Sequence, residues 1–520
     1  MHHIRRRTIW LGAALLLISC VPYLLAWAVT PAEHSFTGLL FNPRDGNSYI
    51  AKMRQGLEGQ WLFQLPYTPE PHDGAFVYLF YILAGHLARW VGLPLILVYH
   101  LVRLLSGAGM VAAIYGLAAR ATDDPAKCWV MVLLAGVGAG LGWLVIPFGR
   151  RTADLWVPEA FPVYALLANA HFPFGIGLMA WIGICGLELL AGRAPTWWGA
   201  GLALGAVTLG LVQPFGLLPS LVVLGVALIA HTWRQRAVPW PAATWIVVSV
   251  MLALPYPLYT QWAIQRDPIL AAWSTQNETL SPPLWDWLLS FGLIAALAVV
   301  GIGLAIRRGS DADWLLVGWA GSTLVGMYLP LALQRRVGLG LGVPLGLLAG
   351  RAWRWIVAGR VPLRWRTLLR KVLIAISAMT PIFLIVTTML AAAAGESLFY
   401  LHRAERSAFR WLSEEGAPDG VVLCAPETGI FVPAWAGQPV VYGHPFETVD
   451  AELREHRVRA YWTGQMGLAE RDAFLAANRV RYVFFGPRER ALDGNRSPRG
   501  RLVYQDAAVE IYEIDPQGGR

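Results

Sequence analysis

Residues 41–74 read FNPRDGNSYIAKMRQGLEGQWLFQLPYTPEPHDG and form a long polar segment after the first apolar run of the chain. The segment contains Asp45, Lys52, Glu70 and His72, whereas most of the sequence around it is apolar. A connection of this length between apolar runs is uncommon in proteins unless it binds a ligand or takes part in catalysis. We therefore predict that this segment carries the chemistry of the protein.

The composition of the whole chain indicates a membrane protein rather than a water-soluble one. Of 520 residues, 56% are hydrophobic, only 14% are charged and 25 are tryptophan, so the polar surface is too small for a soluble globule. Apolar runs near the ~20 residues that cross a bilayer recur from Thr8 to about Ala394, after which the composition becomes polar and mixed. The sequence thus predicts a membrane module at 1–396 and a soluble domain at 397–520.

Eleven apolar stretches are candidate membrane spans: 9–29, 94–118, 129–147, 172–190, 197–212, 215–231, 242–260, 287–306, 314–333, 337–350 with its extension, and 372–394. Residues 75–91 are ambiguous, because they are apolar but short and contain His86 and Arg89. If they lie in the membrane plane, most basic residues of the connections fall on the side of the N-terminus, as the positive-inside rule requires. If they span the membrane, the distribution reverses, so we predict an in-plane helix and a cytoplasmic N-terminus.

This topology places several polar segments together on the extracytosolic face of the plasma membrane: the outer loops 31–93, 148–171 and 261–286, and the tail 397–520. The net charge of +9 is explained by basic cytoplasmic connections, so nucleic acid is not expected as a partner. These connections contain no phosphate-binding glycine motif of the P-loop type. Use of soluble cytosolic nucleotides is therefore disfavoured.

The tail alternates short β-branched or aromatic runs with helical patterns. Strands are predicted at 421–425, 439–443 and 481–486, followed by two more around a tight turn. This order predicts a small α/β domain with a parallel sheet and an antiparallel edge. The predicted fold class is an all-α polytopic membrane bundle of about 11 transmembrane helices, with in-plane periplasmic helices and a small C-terminal α/β extracytosolic domain. His444, in GHPFET, is interpreted as a structural residue.

Acidic residues of the first two outer loops are candidate catalytic or binding groups. Asp45 follows turn chemistry at a helix start, where a carboxylate either takes part in catalysis or caps the helix. The second outer loop contains Asp154, Glu159 and His171. Carboxylates and a histidine just outside a bilayer can ligate a divalent ion or shuttle a proton, although each alone is also compatible with a solvated loop residue.

Three arginines are predicted in or beside membrane spans, where removing a charge from water costs free energy. Arg335 and Arg336 lie at an outer junction of two apolar runs, against the positive-inside trend. Paired guanidinium donors in a partly dry setting favour a phosphate partner, and the alternative is anchoring to lipid headgroups. Arg103 lies within the second span and is expected to face the bundle interior or a cavity.

Five features occur together: an acid just after the first span (FNPRDGNSYIAKMRQG), an in-plane helix after it, ANAHF in the second outer loop, LQRRVGLG late in the bundle, and APETGIFVPAWAGQPVVYGHPFET in the tail. In this combination the chain resembles the GT-C superfamily of integral-membrane glycosyltransferases, which take sugars from polyprenyl-phosphate donors. It looks most like the bacterial, dolichyl-phosphate-mannose-protein mannosyltransferase-like members. The resemblance implies a hexosyltransferase of the cell envelope, with membrane lipid and a glycan, lipid or protein acceptor as partners.

The resemblance also implies roles for individual residues. Asp45 would be the catalytic carboxylate that deprotonates or orients the acceptor hydroxyl. Arg335 and Arg336 would hold the donor phosphate and neutralise its developing charge, with Arg103 and Lys52 as further candidates. A proton acceptor opposite the leaving phosphate implies inversion at the anomeric carbon.

A second group of residues would contact the acceptor or a metal: Asp154, Glu159, His171, Glu70 and His72. A divalent cation, Mg²⁺ or Mn²⁺, would be held by Asp45 together with Asp154 or Glu159. The first loop has one acid near its start where some superfamily members have an adjacent pair, and the second loop lacks an Asp-x-Asp motif. Metal dependence therefore stays open.

Two other functions remain compatible with the sequence. A lipid-linked glycan transporter or flippase would also have many spans and an intramembrane charge such as Arg103, although no internal repeat is evident. A glycan polymerase or ligase would use the same donor chemistry with a larger acceptor.

Overall fold

Most of the chain is helical, and its longest helices are apolar. The computed structural model describes residues 2–493, 498 and 500–514. Within this part of the chain, eight helices are long and apolar enough to cross a membrane: Arg6–Ala28, Leu95–Ala121, His171–Leu190, Pro195–Val212, Pro214–Gln235, Trp240–Arg266, Leu284–Arg308 and Arg364–Ala393. The prediction of a polytopic membrane bundle is confirmed.

The described residues form the following α-helices: α1 His2–Ala28, α2 Pro43–Leu57, α3 Leu79–Val91, α4 Leu95–Ala121, α5 Pro125–Val137, α6 Pro162–Leu167, α7 His171–Leu190, α8 Pro195–Val212, α9 Pro214–Gln235, α10 Trp240–Ala253, α11 Pro255–Arg266, α12 Pro268–Gln276, α13 Leu284–Arg308, α14 Asp311–Gly326, α15 Gly342–Arg360, α16 Leu363–Ala393, α17 Arg403–Glu415, α18 Pro426–Gly429, α19 Val432–Trp435, α20 Ala451–Trp462, α21 Leu468–Ala477 and α22 Pro487–Asp493. The strands are β1 His34–Phe36, β2 Tyr400–His402, β3 Val421–Leu423, β4 Val480–Phe485, β5 Arg501–Gln505 and β6 Glu510–Glu513.

Three of the eleven predicted spans do not meet the length and apolarity of a membrane-crossing helix. The prediction at 129–147 is covered by α5, which stops where Gly138 takes an extended backbone. The prediction at 314–333 is covered by α14, which has only 16 residues. The prediction at 337–350 is covered by α15, in which Arg351 interrupts the apolar surface. The ambiguous stretch at 75–91 forms α3, whose 13 residues rise only about 20 Å. Its in-plane orientation stays a prediction.

The chain folds into two compact units. The bundle unit comprises Met1–Pro22, His100–Tyr259 and Thr279–Met389. The loop–tail unit comprises Tyr23–Tyr99, Thr260–Glu278 and Leu390–Arg520. The first outer loop therefore packs with the tail, whereas the sequence grouped this loop with the membrane module.

Glycines allow helices of the bundle unit to approach closely. α15 packs against both α5 and α13. A Cβ atom on Gly346 would lie 2.4 Å from Ala135 Cα, and one on Gly350 would lie 2.6 Å from Met131 Cα. Because no side chain fits in these gaps, both positions require glycine, as at other close helix contacts in membranes.

The tail contains a four-stranded sheet in the order β3-β4-β6-β5. β3 is parallel to β4, and β6 and β5 add an antiparallel edge, as predicted. The strand predicted at 439–443 is reduced to a single bridge between Val440 and Val422. On the side away from β3, Val440 N donates to Pro66 O of the first outer loop at 3.1 Å.

Two contacts tie the first outer loop into the tail. β1, at the start of the loop, pairs antiparallel with β2, at the start of the tail. Tyr67 is fully buried in the hydrophobic core that also contains Phe409, Phe431 and Phe484. Its hydroxyl donates a hydrogen bond to Ile430 O at 3.1 Å. The loop and the tail thus share one core.

Candidate active site

Asp45 lies in the first turn of α2, in the loop–tail unit. Asn42 precedes the helix in a left-handed conformation, with φ 58°, and Pro43 starts the helix. Asn42, rather than Asp45, occupies the N-cap position, and its amide donates to Asp45 Oδ2 at 2.8 Å. The Asp45 side chain is 36% exposed. The carboxylate is therefore held near the positive end of the helix dipole and remains accessible to a substrate.

The other neighbour of Asp45 is a buried histidine from the tail. His444 Nε2 lies 3.3 Å from Asp45 Oδ1, and the His444 side chain is only 2% exposed. Its other ring nitrogen, Nδ1, accepts a hydrogen bond from Phe446 N at 3.1 Å. Since Nδ1 is an acceptor, the proton of the neutral ring is on Nε2, the ring nitrogen that lies 3.3 Å from the carboxylate.

A buried ion pair lies beside this contact. Lys52 is fully buried, and its Nζ lies 2.8 Å and 3.0 Å from the two carboxylate oxygens of Glu447. Ser48 Oγ also contacts Glu447 Oε1, at 2.5 Å. The Lys52 ammonium further lies 4.4 Å from the centre of the Tyr78 ring. In this position Lys52 cannot meet a donor phosphate without leaving Glu447, so the geometry favours a structural role.

We expect Lys52→Met to destabilise the protein by about 3–5 kcal/mol at pH 7, because the Glu447 carboxylate then stays buried without its cation. The double variant Lys52→Met/Glu447→Leu should recover most of this loss, because no buried charge remains. Thermal unfolding of the detergent-solubilised variants measures both effects. Equal melting temperatures for wild type and Lys52→Met would show that this ion pair does not hold the loop to the tail.

The same pair predicts a pH dependence. Burial opposes the charge of Glu447, but the Lys52 ammonium and the hydrogen bond from Ser48 hold the pKa of Glu447 below its usual value. Such a carboxyl stabilises the folded protein above its unfolded pKa, near ~4.3, and this contribution disappears as pH falls through the folded pKa. Without Lys52, burial dominates and raises the pKa. The difference in melting temperature between wild type and Lys52→Met should therefore shrink from pH 7 to about 4.5.

Glu70 and His72 hold the shape of the first outer loop. His72 Nε2 accepts a hydrogen bond from Leu65 N at 2.8 Å, and Nδ1 donates to Glu70 O at 2.9 Å. The Glu70 carboxylate pairs with Arg454 of α20 and accepts a hydrogen bond from Thr68. Both predicted acceptor-binding residues thus have internal partners, and contact with an acceptor stays a prediction for them.

Asp154 lies in the bundle unit, in a short 3₁₀ turn, and is 1% exposed. Its Oδ1 accepts from Thr152 Oγ1 at 2.6 Å, and its Oδ2 accepts from Gly142 N at 3.1 Å and Thr380 Oγ1 at 2.8 Å. Burial raises the pKa of Asp154, and these donors oppose that shift. Since both oxygens are engaged, the carboxylate joins the second outer loop to α16.

Glu159 and Arg335 form an ion pair in the bundle unit. Arg335 Nε lies 3.3 Å from Glu159 Oε1, and the Glu159 side chain is only 7% exposed. The Arg335 guanidinium also stacks on Trp156, 4.7 Å from the ring centre. Glu159 holds the Nε edge and Trp156 holds one face, while 21% of the Arg335 side chain remains exposed. This orientation suits a planar fork that donates to phosphate oxygens.

The remaining predicted site residues also lie in the bundle unit. Arg336 follows in the same 3₁₀ helix, Gln334–Gly338, with its guanidinium 5.5 Å from the centre of the Phe215 ring. Arg103 is buried and donates to Leu166 O at 2.5 Å and Ser19 Oγ at 3.2 Å. It therefore crosslinks the bundle interior, as expected for a charge in a span. His171 is buried at the start of α7.

The acids of the outer loops do not assemble into a metal-binding set. Among the described residues, no group of three or more His, Cys, Asp or Glu side chains is arranged to hold a metal ion. Asp45 contacts a histidine and an amide, and both Asp154 oxygens accept protein hydrogen bonds. Binding of Mg²⁺ or Mn²⁺ by Asp45 together with Asp154 or Glu159 therefore stays a prediction.

Sequence reasoning missed three partners of the predicted residues. His444 contacts Asp45, Glu447 pairs with Lys52, and Trp156 stacks on Arg335. A partial signal existed for the first two contacts. Residues 45, 48 and 52 have the spacing of one helical face. This spacing indicates that the three residues contact the same neighbouring segment.

Comparison with known proteins supports the fold. No family model and no curated protein sequence matches the chain. Among solved structures, ArnT from Cupriavidus metallidurans, bound to undecaprenyl phosphate, is similar with a TM-score of 0.55 and 14% identity, over 96% of this chain and 97% of ArnT. The Archaeoglobus fulgidus oligosaccharyltransferase, tethered with an acceptor peptide, gives a TM-score of 0.52 and 12% identity, over 92% of this chain and 69% of the other. The latter protein has also been solved in complex with Zn and sulfate.

A third similar structure is the arabinofuranosyltransferase AftD from Mycobacteria. It has a TM-score of 0.53 and 17% identity, and the match covers 96% of this chain and 41% of AftD. The three identities are low enough that the likeness shows the fold rather than a shared substrate. The chain therefore shares the fold of these three solved structures.

Proposed function

We propose that the protein is a membrane glycosyltransferase that transfers a sugar from a polyprenyl-phosphate-linked donor to an acceptor on the extracytosolic face. The observation that carries this proposal is Asp45, a partly exposed carboxylate in the first turn of the first outer-loop helix of a GT-C-like fold. The plasma membrane and a cytoplasmic N-terminus belong to the same proposal. The orientation follows from the distribution of basic residues along the sequence.

In the proposed reaction, Asp45 accepts the proton of an acceptor hydroxyl. The hydroxyl oxygen forms a bond to the anomeric carbon while the bond between that carbon and the phosphate oxygen breaks. The electron pair of the broken bond leaves with the polyprenyl phosphate, and the proton stays on Asp45 until solvent removes it. Attack from the face opposite the leaving phosphate inverts the anomeric configuration. A positioned general base typically contributes about 10²–10⁴-fold to such a step.

Arg335 and Arg336 bind the donor phosphate in this proposal. As the bond to the sugar breaks, negative charge grows on the phosphate oxygen, and fixed guanidinium groups stabilise it. Trp156 and Glu159 support the role of Arg335, because they restrict its plane and its Nε edge. Restricting a long side chain before the substrate binds lowers the entropy lost on binding.

The proposed function is tested with purified protein in proteoliposomes that contain the polyprenyl-linked sugar lipids of the source cells. Mass spectrometry should detect free polyprenyl phosphate and a glycosylated acceptor from the same membranes. A transporter or flippase would instead move intact sugar lipid across the bilayer. Recovery of only intact donor, together with its appearance in the opposite leaflet, would overturn the proposal in favour of transport.

A further inference from the structure

We infer that His444 of the tail is a positioning residue that orients the Asp45 carboxylate for proton transfer. The inference rests on the proposed function of Asp45 and extends it to a residue that the sequence led us to regard as structural. It also makes the tail a part of the catalytic apparatus.

The first argument is the register between α2 and the tail. Asp45, Ser48 and Lys52 are spaced i, i+3 and i+7 and therefore share one face of α2. On the tail, His444 and Glu447 are held in one turn, because Glu447 N donates to His444 O at 3.3 Å. His444 meets Asp45, and Glu447 meets Ser48 and Lys52. These two adjacent contacts fix how α2 lies against the turn that holds His444 and Glu447. A shift of α2 along this turn would break the buried ion pair, which is energetically costly.

The second argument is the fixed ring of His444. Phe446 N donates to Nδ1, and Thr448 Oγ1 accepts from His444 N at 3.2 Å, so both the ring and its backbone are anchored. The Tyr67 ring packs at 5.6 Å between centroids. A ring with these anchors cannot turn its Nε2 away from Asp45 without breaking buried contacts. The titratable groups around the His444 ring are Asp45, Glu447 and the neutral phenol of Tyr67.

The third argument concerns the geometry of the contact itself. Nε2 and Oδ1 are 3.3 Å apart, and the buried Nε2 completes no hydrogen bond with the described residues. A buried polar atom without a partner is unfavourable. Catalytic hydrogen bonds that are long without substrate commonly tighten when the substrate is bound. His444 is thus poised to hold Asp45 Oδ1 and leave Oδ2, next to Asn42, to receive the proton.

The test compares three substitutions of His444 with wild type in the proteoliposome assay. His444→Gln keeps an N–H donor near the position of Nε2, whereas His444→Asn keeps only an acceptor near the position of Nδ1. We expect His444→Ala and His444→Asn to lower kcat about 10–100-fold with little change in KM, and His444→Gln to restore kcat to within about threefold of wild type. If His444 had only a structural role, the loss of activity would instead parallel the decrease in melting temperature. His444→Asn and His444→Gln would then be affected alike.

His86 provides a matched control in the same unit. It is 3% exposed, its Nε2 lies 3.0 Å from Gln60 O, and its ring stacks on Trp61 at 4.1 Å. His86→Ala should lower the melting temperature while kcat of the folded fraction stays at the wild-type value. Wild-type kcat in folded His444→Ala, or failure of Gln to restore more activity than Asn, would overturn the inference.

Failure of the proposed function is a separate outcome, because wild type itself would then transfer no sugar. In that case a second measurement on the same samples still tests the positioning contact. Labelling of Asp45 by a water-soluble carbodiimide, followed by peptide mass spectrometry, should be faster in His444→Ala and His444→Asn than in wild type and His444→Gln. Equal labelling rates in all four proteins would contradict the contact.

Discussion

Replacement of Asp45 by Asn is expected to reduce sugar transfer about 10²–10⁴-fold while the protein still folds and inserts into the membrane. Asn has nearly the same shape as Asp, so it can keep the contact with the Asn42 amide, but it cannot accept a proton. Because Asn42 rather than Asp45 occupies the N-cap of α2, loss of the charge should have little effect on the helix itself. The rate is measured as release of polyprenyl phosphate.

Two controls separate chemistry from folding in this experiment. The melting temperature of Asp45→Asn should stay close to that of wild type, since the Asp45 side chain is 36% exposed. Asn42→Ala removes the amide that contacts Oδ2 but keeps the carboxylate, so it should retain more activity than Asp45→Asn. Wild-type transfer by a folded Asp45→Asn protein would refute the assignment of the base.

The second large effect is expected at Arg335. Replacing it by Gln should lower kcat about 10²–10³-fold, the usual loss when one fixed donor to a developing negative charge is removed. Gln can still contact Glu159 as a hydrogen-bond donor but carries no charge and does not stack as a guanidinium on Trp156. Single-turnover measurement of polyprenyl phosphate release gives the chemical rate directly.

Variants of the supporting residues distinguish this role from lipid anchoring. Trp156→Leu should give a smaller loss than Arg335→Gln, because the guanidinium remains but is less restricted. Arg335→Lys should also be impaired, since an ammonium offers neither the planar fork nor the stacking face. If Arg335→Gln lowered membrane insertion but left the rate of the inserted protein unchanged, the arginine would be a headgroup anchor.

The broad architecture could be predicted because it follows from properties that are local in sequence. Runs of apolar residues predicted the spans, and most of them exist as helices. The order of strands and helices predicted a parallel sheet with an antiparallel edge in the tail. Length decided two of the exceptions, α5 and α14, whereas Arg351 interrupts the apolar run of α15.

The candidate site was less predictable because its contacts join distant parts of the sequence. Asp45 was recognisable as a lone acid after the first span, but nothing in GHPFET shows that His444 meets it. Lys52 illustrates the opposite error, because the sequence suggested a functional role and the geometry favours a structural one. A lysine in a polar loop suggests a phosphate ligand, whereas its position two turns after Asp45 puts it on the buried face of α2, opposite Glu447. Partner choice for a buried charge depends on tertiary packing, which spacing alone does not give.

The central claim is transfer of a sugar, without its phosphate, from a polyprenyl-phosphate donor. It is tested most directly with donor lipid labelled by ³²P in the phosphate and ¹⁴C in the sugar. The account predicts that ¹⁴C moves to the acceptor with inverted anomeric configuration while ³²P stays on the polyprenyl lipid. Transfer of both labels together, or retention of both on the intact donor, would contradict the account.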